Sequence, residues 1–224
     1  MKQRLALFDL DHTLIPFDSG MAWTRFLVRE GALDADAEAR YLGFCQQYVA
    51  GTLDIHAMVR ANLLPLAAFE PAQMQAWRER FEAEIVAQLP AAMRTLVQGH
   101  RERGDLCAMV TATERTVAEP FARAFGIEHL IATEGERVDG RPTGKIVGQP
   151  CFREHKVTRV QAWLAAGQGD APRTIGGFDE STFYSDSIND LALLEAVTRP
   201  VAVRPDERLR ARAMAAGWGV IDAL

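Results

Sequence analysis

The chain has 224 residues, of which 48% are hydrophobic and 25% are charged, and its formal net charge at pH 7 is -5. This balance is typical of a globular protein, and the length suits one domain that carries a modest insertion. The acidic charge argues against a nucleic-acid partner, and no apolar stretch approaches the roughly 18 residues that a membrane span needs.

The cysteines and the N-terminal segment indicate the compartment. Cys45, Cys107 and Cys151 are odd in number and widely spaced, and no pair has metal-ligand spacing. We therefore predict free thiols in a reducing compartment. The apolar run that follows Met-Lys-Gln-Arg reaches Asp9 too soon for a signal peptide. These features predict a cytoplasmic protein.

The first half of the chain is predicted to be one strand followed by a block of helices. Residues 5–10 (LALFDL) form an apolar run that turns acidic at its end, which is typical of a buried parallel strand. The predicted helices that follow are 21–30, 36–49, 53–64 and 71–89. The last of them opens with Pro71, a residue that the first turn of a helix tolerates.

In the second half, helices and strands alternate. The predicted helices are 91–103, 114–125, 156–166 and 190–197, and the predicted strands are 106–110, 130–132, 182–185 and 200–203. Residues 134–148 predict a hairpin or an irregular excursion. Alternation of this kind indicates right-handed crossovers and a parallel sheet covered on both faces.

The helical block interrupts this alternation directly after the first strand. We therefore predict an α/β fold with a Rossmann-like parallel sheet flanked by helices and an inserted all-helical cap. The core domain is predicted to comprise residues 1–15 and 86–224, and the cap domain residues 16–85.

The strongest functional signal is the string FDLDHTLI, which carries Asp9, Asp11 and Thr13. In an extended chain the side chains of residues i and i+2 point to one face, so the two carboxylates converge. Their repulsion is relieved by a cation, and Mg²⁺ prefers oxygen ligands and also bridges to phosphate. One carboxylate can then attack phosphorus while the other moves protons. The alternative is a turn with two solvated aspartates.

A second signal is the segment from Val110 to Glu114, where a strand gives way to a helix. Thr111 and Glu114 fit a helix capping box, which is the structural alternative. The functional interpretation is compatible with it, because a helix N-terminus after a strand suits an anion and a hydroxyl there can bond a phosphate oxygen.

Two further signals follow along the chain. Lys156 can supply a fixed cation for a phosphoryl oxygen and for a nucleophilic carboxylate, although a helix lysine is most often solvated. Asp186 ends a predicted strand that can lie beside the first, and Asn189 and Asp190 begin the next helix. Asp186 would complete a metal site, and Asn189 and Asp190 would position it or hold Lys156. Helix capping is the alternative for these residues.

Together these elements resemble the haloacid dehalogenase-like (HAD) superfamily of phosphatases over essentially the whole chain, and within it the phosphoserine-phosphatase-like branch (subfamily IB). The resemblance implies a nucleophile, a general acid and base, a phosphate-binding hydroxyl and a fixed cation, which are Asp9, Asp11, Thr111 and Lys156. It implies Mg²⁺ ligated by Asp9, the carbonyl of Asp11, and Asp186. Asp11 also argues against a dehalogenase, whose reaction has no leaving-group oxygen to protonate.

The resemblance extends to candidate substrate-binding residues. Asp18 matches a glutamate that meets the substrate amino group in phosphoserine phosphatases, and Arg60 resembles an arginine that binds the substrate carboxylate. An exposed helix arginine is the alternative for Arg60. The second motif reads Thr111-Ala112-Thr113 where those enzymes usually have Ser-Gly-Gly. Ala112, expected with Thr111 beside the substrate, and Thr113 add bulk, which argues against phosphoserine itself.

These observations predict a magnesium-dependent phosphatase that hydrolyses a small phosphomonoester through a phosphoaspartate. The predicted substrate resembles phosphoserine or histidinol phosphate, and the protein is expected to be a monomer or a homodimer. The alternatives are a phosphotransferase or mutase on the same scaffold and a non-catalytic binding protein. The cap aromatics are predicted to be core packing rather than a ligand cage; they are Trp23, Phe26, Tyr41, Phe44 and Trp77.

Overall fold

A computed structural model describes residues 3–167 and 169–222. The strands in these ranges are β1 Arg4–Phe8, β2 Leu106–Glu114, β3 His129–Thr133, β4 Gly135–Val138, β5 Arg141–Ile146, β6 Glu180–Ser185, β7 Arg199–Val203 and β8 Gly219–Ile221. The main sheet is parallel throughout and has the order β3-β2-β1-β6-β7-β8. Strands β4 and β5 form a separate antiparallel hairpin.

The helices lie between these strands. They are α1 Ser19–Arg29, α2 Ala37–Ala50, α3 Ile55–Leu63, α4 Pro71–Val86, α5 Ala91–Glu102, α6 Arg115–Phe125, α7 His155–Ala165, α8 Leu191–Ala196 and α9 Glu207–Ala216. Short 3₁₀ turns cover Leu64–Ala68, Ile175–Gly177 and Ile188–Asp190. The predicted α/β fold with a Rossmann-like parallel sheet is confirmed.

The first strand is apolar on both sides because both of its faces are covered. Leu5 and Leu7 belong to an apolar cluster with Phe183, while Ala6 and Phe8 belong to the cluster on the opposite face. A strand buried on both faces needs a continuous apolar run rather than alternation. The strand ends at Phe8, two residues earlier than predicted, so the reactive segment begins in the turn beyond it.

The helical insertion packs in two parts. Helices α1 and α4 share an apolar cluster with the sheet, in which Phe81 lies edge-on to both Phe26 and Phe121 of α6. Helix α3 instead buries Ile55 and Val59 in a smaller cluster. The predicted packing role is confirmed for Trp23, Phe26 and Trp77, which belong to the cluster shared with the sheet. Tyr41 is buried but lies outside the apolar clusters of the described residues, and Phe44 is half-buried. The proposed boundaries between core and cap remain a prediction.

The hairpin of β4 and β5 contacts the helical insertion. The guanidinium group of Arg141 donates to the carbonyl of Ala67 at 2.9 Å and to that of Phe69 at 2.8 Å. Glycine is needed at position 144, where φ is +78° and the backbone lies against the side chains of Leu64 and Arg60. The hairpin therefore braces the segment that follows α3.

Helix α9 and strand β8 were not predicted. The helix is rich in arginine and buries only Leu209 and Ala213, so its apolar periodicity is weak. Strand β8 has three residues at the sheet edge. None of the helices in residues 3–167 and 169–222 is long and apolar enough to cross a membrane.

Candidate active site

The predicted site residues gather at the carboxyl edge of three neighbouring strands. Strand β1 lies between β2 and β6, with Asp9 directly after β1 and Asp186 directly after β6. The amide of Asp9 donates to the carbonyl of Tyr184 at 3.0 Å, which extends the β1–β6 pairing by one residue. Thr111 lies near the end of β2. This edge is where open parallel sheets bind ligands.

A tight turn after β1 presents the first motif. His12 has a φ of 56°, a left-handed conformation that histidine adopts more readily than most residues. The guanidinium group of Arg204 donates to the carbonyls of His12 at 2.7 Å and Thr13 at 3.0 Å. The Thr13 hydroxyl donates to Asp186 at 3.2 Å. These contacts from residues directly after β6 and β7 hold the turn.

Lys156 links Asp9, the candidate nucleophile, to Asp190 in the segment that follows β6. Its ammonium group donates to Asp9 at 2.8 Å and to Asp190 at 2.7 Å, and the residue is only 2% exposed. The Ser185 hydroxyl also donates to Asp190 at 2.8 Å. The alternative of a solvated lysine is therefore wrong. Asp190 makes no side-chain capping bond to α8, so helix capping does not explain it either.

Burial dominates the electrostatics of this cluster. It raises the pKa of Asp9 to about 7, since the opposing charge of Lys156 offsets the burial only in part and Asp190 and Asp11 add repulsion. Burial also raises the pKa of Asp186 well above its ordinary value, and the charges of Asp9 and Asp190 add to this. For Lys156, burial acts to lower the pKa, but Asp190 and Asp9 outweigh it and the pKa is well above its usual value.

The donor set fits a magnesium ion. Within the ranges that the structure describes, no three His, Cys, Asp or Glu side chains form a metal-binding group. The predicted ligands are instead two carboxylates, Asp9 and Asp186, and the main-chain carbonyl of Asp11. Burial, with added repulsion from neighbouring carboxylates, raises the pKa of both groups, and a cation beside them would favour their charged forms. Mg²⁺ is commonly held by one or two carboxylates together with waters and a phosphate. Metal ligation remains a prediction.

The carboxylate of Asp11 is held by two donors. The amide of Ser19, the first residue of α1, donates to Asp11 Oδ1 at 2.6 Å. The Thr113 hydroxyl donates to Asp11 Oδ2 at 2.6 Å and lies 3.3 Å from the Ser19 hydroxyl. From the sequence, Thr113 was expected only to add bulk near the substrate, and its contact with Asp11 was not predicted. Its position two residues after Thr111, on the same face of an extended segment, was the available signal.

Thr111, in the segment from Val110 to Glu114, lies within strand β2 rather than at the N-terminus of α6. Strand β2 continues to Glu114, and α6 begins at Arg115 with Glu114 as its N-cap, whose carboxylate accepts from the amide of Thr116 at 2.8 Å. The alternative interpretation, in which Thr111 caps the helix, is therefore wrong. A register shift in the β2–β3 pairing lets the strand run on to Glu114. Thr111 is buried, and its hydroxyl accepts from the amide of Thr113 at 3.2 Å.

The candidate substrate residues lie on the helical insertion and beside it. Asp18 caps α1, and its Oδ1 accepts from the amide of Met21 at 2.7 Å and from the Tyr41 hydroxyl at 2.9 Å. Burial raises the pKa of Asp18 to about 6, with a further contribution from the charge of Asp11. Ala112 packs against the apolar cluster of α3.

Two predicted site residues lie outside the central network. Arg60 is exposed and lines a groove of about 670 Å³ with Asp54 and His56. Among the residues that the structure describes, no hydrogen bond or ion pair joins it to the catalytic cluster. The side-chain amide of Asn189 donates to the carbonyl of Tyr48 on α2 at 3.3 Å, so this side chain contacts the helical insertion rather than Lys156. The substrate role of Arg60 and the catalytic role of Asn189 remain predictions.

Comparison with known proteins identifies the family. The model of the haloacid dehalogenase-like hydrolases matches residues 6–195. The chain belongs to this family.

Three relatives of this HAD hydrolase are informative. It is 39% identical over 223 residues to a histidinol-phosphatase of Neisseria meningitidis serogroup C (strain 8013), with 98% of this chain and 99% of that protein covered. A crystal structure of a protein of unknown function from Bordetella pertussis Tohama I has a TM-score of 0.90 at 48% identity, with 99% of each chain covered. A phosphoserine phosphatase, solved as a phospho-aspartyl intermediate analogue, has a TM-score of 0.70 at 17% identity.

The family match and the histidinol-phosphatase relative indicate the class of enzyme, and the phosphoserine phosphatase structure indicates the fold. The phosphoserine phosphatase structure covers 100% of this chain and 95% of its own, so the fold of the HAD phosphatases extends over the whole chain. The family match and the phosphatase relatives show that the chain is a phosphoric monoester hydrolase. The prediction of enzyme class is confirmed.

Proposed function

We propose that this HAD hydrolase is a magnesium-dependent phosphatase that hydrolyses a small amino-alcohol phosphate, similar to histidinol phosphate or phosphoserine, through a phosphoaspartate on Asp9. The observation that carries the proposal is the buried contact of 2.8 Å between Lys156 and Asp9. A fixed cation beside a buried carboxylate opposes the effect of burial on its pKa and favours the ionised form, which is the nucleophile.

In the first half of the reaction an Asp9 oxygen bonds to phosphorus while the bond from phosphorus to the substrate alcohol breaks. Asp11 gives its proton to the departing alkoxide, and the Thr111 hydroxyl binds a phosphoryl oxygen. In the second half Asp11 takes a proton from water, the water oxygen bonds to phosphorus, and the bond to Asp9 breaks.

Charge stabilisation must supply most of the acceleration. Enzymes accelerate phosphomonoester hydrolysis by up to ~10²¹-fold. One proton transfer contributes roughly 10²–10⁴-fold, so Asp11 alone is insufficient. Lys156, held by Asp190, supplies one fixed positive charge for the transferring phosphoryl group. Asp9, Asp186 and the carbonyl of Asp11 would hold a magnesium ion, which would neutralise further charge on the phosphoryl oxygens.

Asp18 supports an amino-alcohol as the leaving group. Its carboxylate lies at the start of α1 and accepts a hydrogen bond from the Tyr41 hydroxyl at 2.9 Å. The charge of Asp11 contributes to the raised pKa of Asp18. A carboxylate on this side of the site favours a substrate that carries an ammonium group. The relative from Neisseria meningitidis is a histidinol-phosphatase, which supports the larger amino-alcohol over phosphoserine. The side chains of Ala112 and Thr113 favour the same choice because they occupy the space that glycines would leave open.

The test is phosphate release from histidinol phosphate, phosphoserine and glycerol phosphate, each measured with Mg²⁺ and with excess chelator. We expect Mg²⁺-dependent release, with histidinol phosphate preferred. Asp9→Asn should lower kcat by at least about 10³-fold while the circular dichroism spectrum is unchanged. Asp18→Asn should raise KM for histidinol phosphate much more than for glycerol phosphate, which carries no amine.

The outcomes separate the competing functions. Full activity of Asp9→Asn would falsify the assignment of the nucleophile. Transfer of phosphate to an added alcohol in place of release to water indicates a phosphotransferase or mutase. Folded wild-type protein that releases phosphate from none of these substrates would favour the binding-protein alternative.

A further inference from the structure

The acid–base residue Asp11 is clamped between the sheet and the helical insertion. One oxygen accepts from the amide of Ser19 on α1 and the other from the hydroxyl of Thr113 at the end of β2, both at 2.6 Å. Ser19 is fully buried and Thr113 half-buried, so water competes little for these bonds. Both carboxylate oxygens are therefore committed to fixed partners.

The hydroxyl groups of Thr113 and Ser19 are themselves in contact at 3.3 Å, and either one can be the donor. When Asp11 is a carboxylate, Thr113 donates to it and accepts from Ser19. Each Asp11 oxygen has two lone pairs, so a second lone pair can carry the proton for the leaving group while Thr113 continues to donate.

We propose that Thr113 is a positioning residue for Asp11, with Ser19 as its hydroxyl partner. This inference rests on the proposed role of Asp11 as general acid and base. In the reaction Asp11 loses its proton to the leaving alkoxide and regains one from water. The Thr113–Ser19 pair keeps the side chain in one orientation through both changes, since the bonds from Thr113 and Ser19 use lone pairs that do not take part in the proton transfers.

The test compares Thr113→Val, which keeps the shape and removes the hydroxyl, with Thr113→Ser, which keeps the hydroxyl. The substrates are glycerol phosphate, whose alkoxide leaving group needs a proton, and p-nitrophenyl phosphate, whose phenolate does not. We expect Thr113→Val to lower kcat on glycerol phosphate by about 10–100-fold with KM within a factor of two. The loss on p-nitrophenyl phosphate should be smaller. Thr113→Ser should stay within about threefold of the wild type.

A double-mutant cycle gives a second, independent readout. In an Asp11→Asn background the acid–base group is absent, so adding Thr113→Val should cause no further loss of kcat. Thermal unfolding of each variant shows whether the protein is folded. A loss equal on both substrates and not rescued by Thr113→Ser indicates a merely structural role and overturns the inference. Wild-type or higher kcat for Thr113→Val on glycerol phosphate also overturns it.

Failure of this inference is distinguishable from failure of the proposed function. If Asp11→Asn impairs turnover of glycerol phosphate and Thr113→Val does not, only the positioning role of Thr113 is refuted. If Asp11→Asn has no effect, or the wild type releases no phosphate from either substrate, the proposed function and this inference are both overturned.

Discussion

Lys156 and Asp9 are 147 positions apart in the chain, yet their charged groups meet at 2.8 Å in a region from which solvent is almost excluded. Asp190 completes the cluster at 2.7 Å from the same ammonium group. Each charge in such a cluster depends on its partners, because an uncompensated charge in the interior is costly.

The first prediction concerns the stability of this cluster. Lys156→Met removes the cation and leaves two buried carboxylates facing each other. In the presence of chelator at pH 7 we expect the free energy of unfolding to fall by about 3–5 kcal/mol. Urea denaturation monitored by circular dichroism measures the change.

Lys145→Met is a matched control because Lys145 is exposed on β5. It should change the free energy of unfolding by less than about 0.5 kcal/mol. Equal effects of the two substitutions would show that the contacts of Lys156 contribute no special stability.

The second prediction concerns the pH dependence that Asp18 confers. Its pKa rises from 3.8 to about 6 on folding, chiefly because of burial. The folded state therefore binds this proton more tightly than the unfolded chain does. The resulting stabilisation is fully present below pH 3.8 and is lost as the pH rises through about 6. The total loss is about 3 kcal/mol at most.

Asp18→Asn removes this titration and keeps an oxygen that can accept from Met21 and Tyr41. Relative to the wild type, the variant should gain stability as the pH rises from about 4 to 7, measured by urea unfolding at each pH. Asp34→Asn is a control for which the opposite pH dependence of stability is expected, because the hydrogen bond from Arg40 lowers the pKa of Asp34. A pH-independent difference between Asp18→Asn and the wild type would contradict the prediction.

The third prediction concerns the close approach of α2 to α1. A Cβ atom built at Gly20 would overlap the side chain of Tyr41 at its hydroxyl oxygen. Gly20→Ala should therefore displace Tyr41 from Asp18 and lower the free energy of unfolding by about 1–3 kcal/mol. It should also raise KM for the amino-alcohol substrate.

Gly43→Ala is the matched control for this substitution. Gly43 lies within α2, and a Cβ atom built there would meet open space. Alanine there should stabilise the protein by about 0.5–1 kcal/mol, because it restricts the unfolded chain and favours the helix. If both substitutions prove equally stabilising, Tyr41 is not tightly packed against Gly20.

The sheet and the central residues were predictable because simple rules govern them. Apolar runs separated by helices require a parallel sheet, and the carboxyl ends of its strands share one edge. Asp9 and Asp186, more than 170 positions apart in the sequence, were therefore expected at one place. The burial of Lys156 followed from the chemistry that a site with several carboxylates needs, and not from its helix pattern.

Other features depend on tertiary packing and could not be predicted in this way. The contact of Asp11 with Ser19 and Thr113 requires the first helix of the insertion to be seated against β2. The close approach of the β4–β5 hairpin to α3, where Gly144 lies against Leu64 and Arg60, is likewise a tertiary contact. The capping box at Thr111 was misleading because pairing with β3 extends the strand past the local helix signal.

The division of the apolar packing has a consequence for how substrate enters. Phe26 and Phe81 share their packing with Phe121 on the sheet side, so α1 and α4 cannot leave the core without breaking it. Helix α3 is buried instead in the smaller cluster around Val59 and Phe152, while α2 is held to α1 by the packing of Tyr41 on Gly20. We therefore expect α3 to separate from the core at a lower cost in free energy than α1 and α4. Since Ser19 belongs to α1, Asp11 is expected to keep its orientation when α3 moves to admit substrate.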